Sequence, residues 1–267
     1  MLKFDSSYEF SWDNARAAVE RCIWSYGGKT DLPDSLWRVF ESKDTNTAAL
    51  VVDEGSFLSV TFRGSKNILD WIQNFKVHKE HVRKGMYVAD QYEREAEVHL
   101  GFSENVESVI SKGLVKYLDT INKPVIVCGH SKGAAEGTYF ALELVRKDIS
   151  VLSVYPVESP RLFNVAGRCL YNGVEIRNTN KTLGDITYRI NNQNDVVTRL
   201  PLWVSGYRHV GQNEFLTSPT GWIENPSLLR VLSSDMCGFY AAWQKKGDVL
   251  IKDHLIEHVQ QRIQNLH

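Results

Sequence analysis

Pro124-Val125-Ile126-Val127-Cys128-Gly129-His130-Ser131-Lys132-Gly133-Ala134 is the stretch whose reading decides the fold. Val125 to Cys128 is a short apolar run without alternation, the pattern of a strand buried on both faces. From Ala134 to Val145 the apolar residues recur at helical spacing. Gly129 and Gly133 bracket Ser131 in a turn with no room for a Cβ beside a strained residue. A lone G-x-S-x-G is a weak signal and also fits an ordinary strand-to-helix turn. Its place between a buried strand and a helix is where a nucleophilic serine sits on a tight elbow. Such a serine projects above the C-terminal edge of a sheet, at the start of a helix whose dipole favours negative charge.

Working outward, Asn14 to Tyr26 carry a helical apolar stripe that ends at Gly27-Gly28. Thr47 to Val52 and Phe57 to Phe62 read as a β-hairpin joined by Asp53-Glu54-Gly55. A helix is expected from about Glu104 to Ile121, and strands at Val151 to Val157, Thr187 to Ile190 and Tyr207 to Val210. Leu255 to Ile263 reads as an amphipathic helix. Strands alternating with helices predict an α/β fold, with a mainly parallel central sheet covered by helices on both faces. Lys76 to Glu97 is different: it is basic first (Lys79, Arg83, Lys84), then acidic (Asp90, Glu93, Glu95), with no clean apolar period. It reads as an insertion over the surface.

Composition bounds the rest. A chain of 267 residues at 43% hydrophobic can bury one sizeable core, so residues 1–267 are read as a single domain. With 31 basic against 32 acidic residues, no nucleic-acid partner is expected. Residues 1–12 hold one Lys and no apolar run, unlike a secretory signal, and no stretch reaches the ~18 apolar residues of a transmembrane segment. Cys22, Cys128, Cys169 and Cys237 lie far apart with no C-x-x-C, so neither zinc nor a disulfide framework is expected. These features together predict a soluble, reduced, cytoplasmic protein. They assign no oligomeric state.

A serine hydroxyl needs a positioned base, and in this kind of fold acid and histidine come after the serine in that order. Asp195 stands just past the strand ending at Ile190, whereas Asp185 precedes that strand. Among the later histidines, His254 opens the last helix, His258 lies one turn further on, and His209 sits in the expected strand Tyr207 to Val210. Asp195 and His254 are the preferred partners, with the others as rivals.

Several further segments carry a family resemblance. Thr61-Phe62-Arg63-Gly64-Ser65 with Asp70-Trp71, His99-x-Gly101-Phe102, Gly129 to Gly133 and Ser159-Pro160-Arg161 resemble elements of the class 3 lipases. So do Tyr188-Arg189, Asn194-Asp195-Val196-Val197, Leu200-Pro201, Tyr207-x-His209-x-Gly211 and Asp253-His254, all in family order. The resemblance implies an α/β-hydrolase fold and hydrolysis of carboxylic esters, lipid or other, through an acyl-enzyme. It implies Ser131 as nucleophile, Asp195 as orienting acid and His254 as general base. The oxyanion hole would come from Ser65 and Lys132, and no cofactor or metal is implied. The family's lid would fall at about residues 66–97, with Trp71, Ile72 and Phe75 as an apolar face in transient contact with a lipid surface. A solvated loop beside a helix that buries Trp71 is the alternative. Phospholipase, acyltransferase and thioesterase chemistry use the same triad, and a catalytically silent scaffold is a further alternative.

This chain departs from the family at Lys132, where Leu is usual, and at Ala134 and Glu136. A Lys at a helix N-terminus opposes the dipole. Pairing with Glu136 at i,i+4 is the preferred account, and contact with an anionic substrate group is the other.

Overall fold

The protein is described by a computed structural model covering residues 2–27, 32–68, 77–82, 92, 94–192, 195–218, 221–227 and 254–264. Along the chain these give α1 (Trp12–Ser25), β1 (Trp37–Ser42), β2 (Thr47–Asp53), β3 (Leu58–Phe62), β4 (Lys79–His81) and β5 (Glu97–His99). Next come α2 (Leu100–Ile110), α3 (Leu114–Ile121), β6 (Val125–His130), α4 (Lys132–Arg146) and β7 (Val151–Val157). The last are α5 (Val165–Gly173), β8 (Tyr188–Asn192), β9 (Asn213–Ser218), β10 (Gly221–Glu224) and α6 (Ile256–Gln264).

The main sheet runs β1-β2-β3-β6-β7-β8-β9-β10. From β3 through β9 every neighbouring pair is parallel, and antiparallel hairpins extend both edges. The period of two sorts the central strands onto two cores. Val125 and Val127 pack with Val106, Tyr139, Phe140 and Leu170 from α2, α4 and α5. Ile126 and Cys128 pack on the other side with Ala18, Cys22 and Val259 from α1 and α6. The predicted mainly parallel sheet with helices on both faces is therefore present. Its middle strands are buried on both sides, which is why Val125 to Cys128 reads as an unbroken apolar run.

Two local expectations are corrected, and further strands were not expected at all. The helix predicted from Glu104 to Ile121 is two helices, because Gly113 at φ +95° breaks the ladder and starts α3. Tyr207 to Val210 forms no strand; it makes only the isolated bridge of Phe163 with Arg208. The edge strands β1 and β10 escaped prediction because they are mostly half-exposed and carry no core pattern, and β9, between β8 and β10, because its short buried stretch is flanked by polar residues. Of the lid-like insertion, β4 and β5 pair with each other, and Val82 and Ala96 beside them are buried in the core. Asp70, Trp71, Ile72 and Phe75 lie outside the described residues.

Around the elbow three backbones converge. A Cβ on Gly129 would collide with the Gly133 carbonyl, and one on Gly133 with the Phe62 carbonyl at the end of β3. Because these neighbours are backbone, they cannot rotate away. Gly133→Ala should therefore lower stability by about 2 kcal/mol or more in urea unfolding. Gly173→Ala, whose Cβ would meet nothing within 4 Å, should stay within about 0.5 kcal/mol of wild type. Equal midpoints for the two variants would refute this account of the turn.

Candidate active site

Ser131 joins β6 to α4 with φ +59° and ψ −130°, a conformation that L-residues avoid and that costs about 1–3 kcal/mol. Its backbone is pinned on both sides: the N–H donates to the Val157 carbonyl (3.0 Å), and its carbonyl accepts from Ala134 N–H (2.9 Å). The side chain is left out of this bonding. Ser131 Oγ is buried and has no hydrogen-bond partner among the described residues.

Asp195 lies just past β8, on the same C-terminal edge of the sheet. Its Oδ1 accepts from Val197 N–H (2.8 Å), and its carbonyl accepts from Thr198 Oγ1 (2.9 Å), which fixes the carboxylate. Oδ2 faces Nδ1 of His254 at 2.8 Å. With that N–H donated to Asp195, the other ring nitrogen, Nε2, carries the lone pair; it too is buried without a partner. Ser131 and His254 line one pocket of about 260 Å³ together with Ser65, Tyr26, Ile68 and Leu255. Ser65 Oγ donates to the Asn67 carbonyl (2.9 Å), so its hydroxyl braces the loop. Lys132 opens α4, and the first N–H groups of a helix have no intrahelical acceptor.

The rivals lie elsewhere. Asp185 accepts from the N–H and hydroxyl of Thr182 ahead of β8. His209 Nε2 meets the Thr198 carbonyl (2.8 Å), and burial pushes its pKa well below the usual value, so the ring is neutral and donates there. His258 sits half-buried within α6.

Sequence reading missed three residues of this cluster. Glu158, at the end of β7, is fully buried, with Oε2 3.3 Å from His254 Nδ1 and 3.2 Å from His130 Nε2. His130 Nε2 also faces the His254 carbonyl at 2.9 Å, and its Nδ1 meets Tyr26 Oη at 2.8 Å. Burial and the neighbouring His254 push His130 well below the usual pKa, so it is neutral, donating through Nε2 and accepting from Tyr26 at Nδ1. Ligand atoms of His130, Glu158 and His254 lie within 4.8 Å of one another, a spacing a cation could use, but each is already engaged with a protein partner. A signal for Glu158 was present: it comes directly after the apolar run Val151 to Val157, as Asp195 comes after β8.

The odd Lys132 points inward. Its Nζ lies 3.2 Å from Glu136 Oε1 and donates to the Asn46 carbonyl (3.2 Å); Asn105 Nδ2 donates to the same carboxylate oxygen (2.6 Å). Burial raises the Glu136 pKa, and Lys132 and Asn105 pull it part of the way back. Lys132→Leu should therefore cost about 3 kcal/mol at neutral pH, because it strands a buried acid. A carboxyl with a raised folded-state pKa loses stability as pH climbs through its ordinary value. The deficit should thus shrink toward pH 4, where Glu136 is protonated in both proteins. A deficit independent of pH in thermal unfolding would contradict the pairing.

Comparison with known proteins bears on the family and the fold. The model of the family described as lipase (class 3) matches residues 59–205, more than half of the chain. A secreted mono- and diacylglycerol lipase A of Penicillium cyclopium is 28% identical over 203 residues, covering 73% of this chain and 60% of that protein. A secreted mono- and diacylglycerol lipase 1 of Fusarium solani is 33% identical over 173 residues, 63% of this chain and 44% of the relative. The chain thus spans only about half of the length of these relatives, between 44% and 60%. Among solved structures, a triacylglycerol lipase from Penicillium expansum superposes with a TM-score of 0.65 at 16% identity, covering 84% of this chain and 86% of that one. The triacylglyceride lipase of Rhizomucor miehei gives 0.61 at 21%, covering 77% and 79%. The fold is the α/β-hydrolase fold of these lipases. The cytoplasmic expectation is corrected, since the Penicillium and Fusarium relatives are named as secreted proteins and point to an extracellular one. That expectation rested on twelve residues and on cysteine spacing, neither of which fixes a compartment. On the strength of the family match and the shared fold, the chain belongs to the class 3 lipases.

Proposed function

We propose that this protein is a serine ester hydrolase acting on acyl esters of the acylglycerol kind. One observation carries the reading: His254 is oriented through Nδ1 by Asp195, while its Nε2 and the Oγ of the strained Ser131 stand unpartnered in one pocket. In the first step Ser131 Oγ attacks the ester carbonyl as its proton passes to His254 Nε2. The oxyanion that forms is held by the N–H groups of Ser65 and Lys132, each worth about 3 kcal/mol in such sites. Collapse breaks the ester C–O bond, and His254 returns the proton to the leaving alcohol. Water then attacks the acyl-enzyme by the same route in reverse, releasing acid and restoring Ser131.

The relatives named as mono- and diacylglycerol lipases support a glyceride-like substrate. With Lys132 Nζ taken by Glu136 and Asn46, an anionic headgroup loses its most obvious partner, so neutral esters are preferred over phospholipids. The naming of relatives as secreted supports an extracellular setting. Cys22 and Cys128 suit it, since burial raises both thiol pKa values and leaves them unreactive. Leu202, Trp203 and Val204, a few residues beyond Asp195, are exposed at 48%, 61% and 68%. An aromatic and aliphatic tip of this kind suits the boundary between water and lipid.

Two results are expected. Ser131→Ala and His254→Ala should each lose about 1,000-fold or more in turnover of p-nitrophenyl butyrate, because triad members act as a unit. His258→Ala should stay within about threefold. If the His258 variant is the inactive one, the base has been assigned one helical turn too early. Separately, Trp203→Ser should weaken binding to glyceride emulsions several-fold while leaving soluble-ester turnover unchanged. An unchanged emulsion isotherm would remove the surface role of this segment.

A further inference from the structure

Seven non-glycine residues among those described have positive φ. Five are Asn or Asp, which tolerate that conformation because a short polar side chain can bond locally. The remaining two are Ser131, at φ +59°, and Glu158, at φ +52°. Glu158 is unfavourable in a second way, since its carboxyl is fully buried and a buried charge needs partners. Both features coincide at the residue that touches two histidines.

Its placement is set by the sheet. β6, β7 and β8 are adjacent and parallel, so their ends deliver Ser131, Glu158 and Asp195 side by side on one edge. The backbone is tied across this edge, with Ser131 N–H donating to Val157 and Glu158 N–H to Ile190 (2.8 Å). Glu158 Oε2 then lies 3.3 Å from His254 Nδ1, while Asp195 Oδ2 lies 2.8 Å from the same nitrogen. His254 Nδ1 thus hydrogen-bonds to Asp195 and lies within ion-pair distance of a second carboxyl group from the neighbouring strand end. His130 completes the frame, donating from Nε2 toward Glu158 and the His254 carbonyl, and accepting from Tyr26 Oη.

We propose that Glu158 is a positioning residue for the reaction, a second carboxylate that shares with Asp195 the task of holding His254 by Nδ1–H and can perform it when Asp195 is lost. This rests on the reading of Ser131, His254 and Asp195 given above. The proton taken from Ser131 goes to Nε2, and the Nδ1 proton stays on the ring throughout. Glu158 neither donates nor accepts a proton; it orients the ring and stabilises the imidazolium, as Asp195 does.

Among the described residues, the ionisable groups around His254 are Tyr26 just after α1, His130 at the end of β6, Glu158 just after β7, Asp195 beyond β8, and Lys66 and Glu257 at the pocket wall, with Arg63 and Glu136 acting on Tyr26. Of these, Asp195 and Glu158 contact the ring at Nδ1. An anion there favours the imidazolium, so removing one lowers the pH at which the base becomes neutral and active.

The test is a set of pH profiles of kcat/KM on p-nitrophenyl butyrate with the full chain. Glu158→Gln keeps the shape and removes the charge, and it should move the acidic limb down by about half a pH unit or more. Asp195→Ala should retain activity about 100-fold or more above Ser131→Ala, and adding Glu158→Gln to it should erase that remainder. A buried carboxylate with a merely structural role would lower the melting temperature without moving the limb. An unmoved limb together with a double variant no worse than Asp195→Ala overturns the proposal. If Glu158→Gln does not fold, Asp195→Ala alone decides, since activity at the Ser131→Ala floor overturns it. An active Ser131→Ala protein would instead bring down the triad reading, and this proposal with it.

Discussion

Gly129, Gly133 and the Phe62 carbonyl meet so closely that no Cβ fits between them, and this contact lets Ser131 hold φ +59° at the head of α4. A strained residue persists only where its surroundings over-determine it. Here β3, β6 and α4 do so through backbone atoms that cannot move aside, and the Val157 carbonyl fixes the serine N–H. The same contact sets the geometry of the whole edge. With β3, β6, β7 and β8 parallel and in order, residues just past the four strand ends are brought to one place: Ser65, Ser131, Glu158 and Asp195.

Holding charge at a buried edge requires each group to be answered by another. Asp195 has backbone N–H and imidazole partners, His130 is kept neutral by burial, and Lys132 lies against Glu136 and a backbone carbonyl. Of the buried side-chain atoms left unsatisfied among the described residues, two meet in one pocket. Ser131 Oγ and His254 Nε2 are buried without partners, although buried polar atoms are usually bonded. On the proposed function, these two atoms are where a substrate carbonyl and its leaving oxygen would fit.

How much of this was legible depends on which interactions leave a periodic trace. The unbroken run Val125 to Cys128 and the helical stripes of α1, α4 and α6 are imposed by burial, so the parallel core could be read directly. Asp195 was legible over Asp185 because strand direction alone assigns them to opposite ends. Edge strands such as β1 and β10 bury too little to leave a pattern, and the break at Gly113 is a single dihedral inside an otherwise continuous apolar repeat. His209 looked like a strand residue because it sits between Tyr207 and Val210, yet its ring is turned onto a backbone carbonyl. Glu158 was missed for a different reason: its place just after an apolar strand run matches that of Asp195, but that position does not say that its side chain will be drawn inside between two histidines. Its contacts with both histidines became visible only once three strand ends stood side by side.

The central claim is that Ser131 is the nucleophile of an acyl-transfer site completed by His254 and by the N–H groups of Ser65 and Lys132. A crystal structure of the protein inhibited with a p-nitrophenyl alkylphosphonate tests it most directly. The account predicts phosphorus bonded to Ser131 Oγ, one phosphoryl oxygen about 3 Å from both N–H groups, and His254 Nε2 within hydrogen-bonding reach of an ester or serine oxygen. Phosphorus on another residue, or a phosphoryl oxygen turned away from Ser65 and Lys132, would contradict it.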